Sequence, residues 1–412
     1  RGRTSPQNFQ REGYTTGLSG KNHCFEQDDL NRFDYVWECG HGGPIDPPDE
    51  IAAAAKRFIG ESKVSPRAWG TATNPHPPES LGTALTATHA IKFLDTCPKD
   101  KPFFLWCSIA DPHTPLQTTE PYASMYDPAD VSIPQQRDGE LDDKPVAQML
   151  DYLALAGDKV SEDDIRRVMA MYYGMNSYID HEVGRLLTHL EELGLSENTL
   201  VIYMSDHGEY LGEHKMIRKS KALYDCLTHI PLLISWPGHL PQGESCDEFV
   251  EVVDIAPTIL DAIELPHPDG IQGQSMLPIF TDAPYKPRDA VFAEQGAEDK
   301  TGSIAGNPIE SLGRVPKSPT SPDFSPKLKM GDQGPIKSIR TREWKCVYYP
   351  GNREGELYNL KEDPGELNNL WHLPEYTQLR TELSLRILDW CIQTEDRKPK
   401  FAQKTNGWAI RA

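Results

Sequence analysis

Long apolar runs are missing from these 412 residues. No stretch approaches the roughly 20 consecutive apolar residues that a membrane-spanning helix needs, so no transmembrane segment is expected. Paired cysteines are missing as well. The 8 cysteines stand singly at 24, 39, 97, 107, 226, 246, 346 and 391, without C-x-x-C or zinc-type spacing, and several lie in apolar runs that suit buried free thiols. There is no internal repeat. Excess positive charge is absent too: the formal net charge is -20, so nucleic acid would be repelled over most of the surface, and an anionic substrate would need locally clustered cations. No initiator methionine precedes Arg1-Gly2-Arg3 and no signal peptide is visible. The parent's true N-terminus is therefore expected upstream, and the compartment stays open, periplasmic or secreted if that upstream part carries a signal.

What is present reads as an ordered α/β chain. Hydrophobic residues make up 38% and charged residues 25%, and the 35 prolines and 31 glycines suit many ordered connections. Residues 13–20 form a short strand entering a glycine turn, preceded by the end of a helix over 6–12. Helical pieces are expected at 49–58 and 81–94, with a buried strand at 102–108. The strongest helix spans 161–193: Ser161 and Asp164 make a capping-box-like start, and Ile165, Val168, Met169, Tyr172, Ile179, Val183, Leu186, Leu187 and Leu190 keep a helical stripe.

The run Thr199-Leu200-Val201-Ile202-Tyr203-Met204 follows, reading as a central strand, and ends in Ser205-Asp206-His207-Gly208. Another core strand falls at 231–236 and a helix at 252–265. Helix and strand in alternation predict a mostly parallel central sheet flanked by helices. After residue 285 the texture changes to short strands at 337–342, 345–349 and 356–360 and an amphipathic helix at 376–391, a small C-terminal α+β subdomain. The expected division is 1–285 for the α/β domain, 286–395 for the subdomain with a Pro/Ser/Gly-rich insertion at 296–335, and 396–412 as a tail.

Three apolar segments end in similar polar clusters: Gly20-Lys21-Asn22-His23, Asp111-Pro112-His113-Thr114-Pro115, and Asp206-His207. If their strands are parallel in one sheet, one rim collects Lys21, His23, His113, Asp206 and His207, beyond the strand ends where α/β proteins bind ligands. Gly212-Glu213-His214-Lys215-Met216-Ile217-Arg218-Lys219 adds cations in a glycine-led loop. Such a rim suits a tetrahedral oxyanion beside a divalent cation, with Asp206 a hard-cation ligand. Taken singly, each residue also fits a plain role: Asp-His-Gly as a turn, His113 as a shaper of a proline turn, the basic run as a solvated face.

At these residues the chain resembles the sulfatase family of the alkaline-phosphatase superfamily. The resemblance rests on "REGYTTGLSGKNH" at 11–23, "FFLWCSIADPHTP" at 103–115, "SDHGEYLGEH" at 205–214, "IPLLISWPG" at 230–238, "VDIAPTILD" at 253–261 and "GELYNLKEDPGELNNL" at 355–370, in the family's order. It implies an alkaline-phosphatase-like fold and hydrolysis of sulfate esters, on a sulfated carbohydrate or an aryl or alkyl sulfate. It makes Lys21 and His23 contacts of the sulfate and of the nucleophile's hydroxyls. His113 becomes the proton donor to the leaving alcohol, and Lys219 a lysine at the sulfate, with Lys221 as rival and Arg218 nearby.

Asp206 and His207 would ligate a divalent metal, calcium by family habit, although many members have Asn at the second position and imidazole also suits softer ions. The family's C-x-P/A-x-R or S-x-P-x-R segment, source of its formylglycine, and two further metal-binding aspartates precede the equivalent of Gly13. Cys24, Asp28 and Asp29 stand in the wrong order to replace them, so the chain is expected to be inactive alone. Arg218, Arg340 and His41 are further specificity candidates. The alternatives are a phosphodiesterase or phosphonate monoester hydrolase of the same superfamily, or a noncatalytic sulfoglycan-binding protein.

Overall fold

A computed structural model of the chain describes residues 6–40, 43–44, 71–145, 148–149, 151–152, 160–281, 283–296, 335–350 and 353–395. The helical piece expected at 49–58, His41, nearly all of the 296–335 insertion and the 396–412 tail lie outside the described residues. The described strands, in chain order, are β1 (Thr15–Gly20), β2 (Tyr35–Gly40), β3 (Gly43–Pro44), β4 (Thr71–Thr73), β5 (Phe103–Ser108), β6 (Leu116–Thr118), β7 (Val201–Met204), β8 (Leu232–Ser235), β9 (Ala290–Gln295), β10 (Ile336–Thr341), β11 (Trp344–Tyr349) and β12 (Glu354–Asn359).

The architecture is α/β. β1 lies between β2 and β5 and pairs parallel with both, Leu18 standing opposite Val36 and Trp106, while β3 adds an antiparallel edge. Two helices cover one face, Gly82–Thr96 and Glu162–Glu192. Phe93 and Leu94 from the first and Leu190 from the second pack with Phe103, Leu105 and Val201. Gly17 makes this close approach possible, because a Cβ there would meet the Phe93 ring at 2.6 Å.

The long helix starts as its sequence predicts: Ser161 accepts from the Asp164 amide and the Asp164 carboxylate accepts from the Ser161 amide, a reciprocal cap. It ends at Gly194, φ +69, where Leu195 N–H donates to Leu190 O at 3.1 Å and Gly194 N–H to Glu191 O at 2.8 Å, the paired bonds of a Schellman turn.

Among the described residues the third strand is not hydrogen-bonded into the sheet of β1. β7 pairs antiparallel with β8, and no β5–β7 ladder is present among the described residues. Among the described residues β5 therefore pairs along its β1 side alone, and β7 along its β8 side alone. Nor are the two strands covered as a central strand would be: Tyr203 of β7 is 42% and Leu233 of β8 63% exposed. An apolar run fixes the need for burial but not which neighbour supplies the hydrogen bonds.

The C-terminal region is a separate antiparallel sheet in the order β12-β11-β10-β9. The helix Thr377–Thr394 packs Leu383 and Ile387 onto Ile339, Cys346, Leu357 and Trp371 of that sheet and its neighbouring turn. All eight cysteines are free thiols as expected, but only Cys39 and Cys346 are buried, while Cys24, Cys107 and Cys246 are exposed. Among the described residues no helix is long and apolar enough to cross a membrane.

Candidate active site

Gly20 closes β1 with φ +106, and a Cβ there would lie 2.0 Å from Ser108 O, so only glycine lets the two strand ends touch. The next amide, Lys21 N–H, donates to Ser108 O at 2.8 Å, which fixes Lys21 beside the end of β5. Asn22 Oδ1 accepts from the Cys24 and Phe25 amides at 3.1 and 2.9 Å, stiffening the turn that carries His23.

Beyond β5, Thr83 Oγ1 donates to Asp111 Oδ2 at 2.6 Å and anchors the start of the Pro-His-Thr-Pro turn. His113 donates from Nδ1 to Thr114 O at 2.7 Å, so the lone pair of the neutral ring sits on Nε2. Beyond β7, His207 Nδ1 likewise donates to Gly208 O at 2.7 Å, and Nε2 accepts from Lys219 Nζ. Asp206 Oδ1 lies 3.6 Å from that same Nε2, on a side chain 76% exposed.

The electrostatics show that these loops share one rim. Burial first, then Lys219, Lys21 and Arg218, push the His113 pKa down to about 4 against the pull of its bond to Thr114. The His23 pKa is lowered by desolvation and by Lys21 and Lys219, with Asp206 opposing. Lys219 is lowered by partial desolvation, then held up by Asp206 and Glu209 and pushed down by Lys21 and Arg218. Lys21, His23, His113, Asp206, His207, Arg218 and Lys219 are thus brought together even though their strands do not form one ladder.

Lys221 is turned elsewhere, toward Asp151, so of the two rival lysines only Lys219 faces the histidines. Arg340 of β10 is engaged by Asp225 Oδ2 at 3.2 Å and by the Phe249 ring, a tie from the C-terminal sheet to the α/β part. Glu209 belongs to the rim and received no role from the sequence, although it stands in the quoted "SDHGE". Desolvation pushes its pKa up to about 7, against the Arg218 and Leu211 amides and the Arg218 and Lys219 charges.

Asp206 and His207 offer two adjacent donors for a cation. Among the described residues no group of three or more His, Cys, Asp or Glu side chains is assembled to hold a metal ion. A calcium ion takes about six to eight oxygen ligands, so these two donors make part of a coordination shell and not a complete one. Three cationic side chains stand around His113, with the Asp206 carboxylate at their border.

The family model described as Sulfatase matches residues 5–265. The chain belongs to the sulfatase family. Members of this family use a metal ion and a formylglycine residue. An arylsulfatase of Clostridium perfringens is 28% identical over 316 residues, covering 76% of this chain and 57% of the relative. Human arylsulfatase K is 34% identical over 228 residues, covering 55% of this chain and 38% of that protein. This sulfatase chain thus covers 57% and 38% of the lengths of these two curated relatives.

Two solved structures share the fold. A phosphonate monoester hydrolase of Agrobacterium radiobacter superposes with TM-score 0.72 at 23% identity, covering 94% of this chain and 80% of that one. A structure in complex with its substrate D-glucosamine-2-N,6-O-disulfate gives TM-score 0.66 at 20% identity, covering 96% and 82%. Both likenesses bear out the alkaline-phosphatase-like α/β architecture.

Proposed function

We propose that this chain carries the oxyanion-gripping and leaving-group half of a sulfate ester hydrolase, acting on a sulfated carbohydrate. The observation that carries the reading is the ring of Lys21, Arg218 and Lys219 around His113, which adds to the larger effect of burial in holding the imidazole neutral well below its usual range. A bound sulfo group cancels that repulsion. His113, proton-poor in the free protein, then gains a proton on Nε2 and can pass it to the departing alcohol, the role a general acid needs. Lys21 and Lys219 hold sulfonyl oxygens as charge builds on them, and His23, with its lowered pKa, is suited to accept a proton at neutral pH.

Asp206 and His207 are the residues that would hold a divalent cation, calcium in our reading, and the family's formylglycine would supply the attacking hydroxyl. The sulfated-sugar preference is supported by an N-acetylglucosamine-6-O-sulfatase of Bacteroides thetaiotaomicron, 28% identical over 225 residues. The α/β part, residues 1–285, supplies all the rim residues, and the C-terminal part, 286–395, backs them.

Titration calorimetry with inorganic sulfate tests the grip: the chain binds sulfate, and Lys21→Ala and Lys219→Ala each weaken it. Binding that ignores both substitutions overturns the reading. Turnover of paired aryl sulfate and aryl phosphonate esters separates the remaining readings, since a phosphonate preference points to a phosphonate hydrolase and binding of sulfated sugar without turnover to a noncatalytic binder.

A further inference from the structure

The loop that presents Arg218 and Lys219 is strained and deeply anchored. Leu211, His214, Lys215 and Arg218 all take left-handed backbone angles, with φ of 47, 54, 56 and 70. Such angles are unfavourable for non-glycine residues and persist only where surrounding contacts over-determine them. Tyr210 N–H to Arg218 O at 3.0 Å and Gly212 N–H to Met216 O at 2.8 Å close the loop across its neck.

Its tip points into the protein. The His214 side chain is 2% exposed and donates from Nδ1 to Glu140 Oε1 at 2.5 Å. The imidazole also stacks on Tyr224, centroids 3.8 Å apart. Glu140 in turn lies 3.6 Å from Lys144 Nζ, which donates to Tyr358 OH in β12 at 2.7 Å and to Glu366 O at 2.5 Å. A relay of charged groups therefore runs from the cationic loop into the C-terminal sheet. Buried charges seldom add stability over an apolar core, but they specify one arrangement.

We propose that His214 is a positioning residue: its bond to Glu140 ties the loop to the C-terminal sheet and so aims Lys219 at the anion. The proposal rests on the reading of the rim as an oxyanion grip. In it, the C-terminal part of the chain tunes the affinity of a rim whose named side chains all come from the α/β part.

The test uses the full chain, inorganic sulfate and amide hydrogen exchange. His214→Ala weakens sulfate binding roughly tenfold, the loss of about one charge-assisted bond. The same substitution in a Lys219→Ala background costs nothing further, because both act through one ammonium. His214→Asn, whose side-chain amide can donate to Glu140 from near the Nδ1 position, keeps affinity within about twofold. Exchange at the Tyr210 and Gly212 amides speeds up in His214→Ala and not in His214→Asn.

Equal losses in the two variants, a loss that persists without Lys219, or unchanged exchange at the neck overturns the proposal. If His214→Ala does not fold, Glu140→Ala, which removes the acceptor, carries the same comparison, with Glu140→Gln as the variant that keeps it. Should the wild-type chain bind no sulfate, the grip itself fails, and the exchange comparison still decides whether His214 locks the loop.

Discussion

Lys219 Nζ donates a hydrogen bond to Nε2 of His207. The imidazole lone pair that a cation would need is therefore engaged by an ammonium, and the two positive charges would also repel. Lys219→Met should bind manganese or calcium several-fold more tightly than the wild type, read by titration calorimetry. Equal affinities would show that the contact has no bearing on metal binding.

Sulfate binding should be proton-linked. The free-protein pKa of His113 lies at about 4, and a bound anion raises it. Affinity therefore climbs as pH falls from 7 toward 5, with uptake of a fraction of a proton per sulfate. Calorimetry in two buffers of different ionisation enthalpy measures that uptake, and zero uptake at pH 6 would remove His113 as the proton carrier.

Glu209 sets a stability trend of known sign. Its folded pKa of about 7 stands above the ordinary carboxylate value of 4.5, so the folded state holds the proton more tightly. The resulting stability is full below pH 4.5 and is lost as pH rises through 7. Glu209→Gln should melt close to the wild type at pH 4.5 and above it at pH 8. Parallel melting curves across that range would contradict the assignment.

Lys345 is 1% exposed and bridges Asp225 and Glu366, each at 2.8 Å. Replacing it with Met leaves two carboxylates facing each other without their shared cation. Loss of about 3 kcal/mol in urea unfolding is expected, as for other broken buried pairs. A change below about 1 kcal/mol would mean that Arg340 alone neutralises the pair.

How far the residues announced the fold depended on the range of the interaction. The reciprocal cap at Ser161 and the glycine stop at Gly194 are local, and both were visible in sequence. Lys21, His113 and Asp206 were legible because strand ends in α/β proteins gather polar turns. The partner of β7 was not, since the same apolar run serves a parallel or an antiparallel ladder. Glu209 and His214 lay in a quoted motif, yet their work depends on left-handed backbone angles and on Glu140, seventy-odd residues away. No periodicity reports such a pairing.

The one-sided pairing of β5 and β7 has a practical outcome for handling. Phe103 and Leu105 of β5 share a cluster with Val201 of β7, so the two strands lie near each other while their facing backbones stay unladdered. Trp106 at 37% and Tyr203 at 42% exposure stand along them. Strand edges without a ladder partner among the described residues, beside aromatic surface, invite other chains to dock edge to edge. Light scattering from purified material should therefore grow faster than linearly with concentration, and dilute samples are the ones on which affinities should be measured.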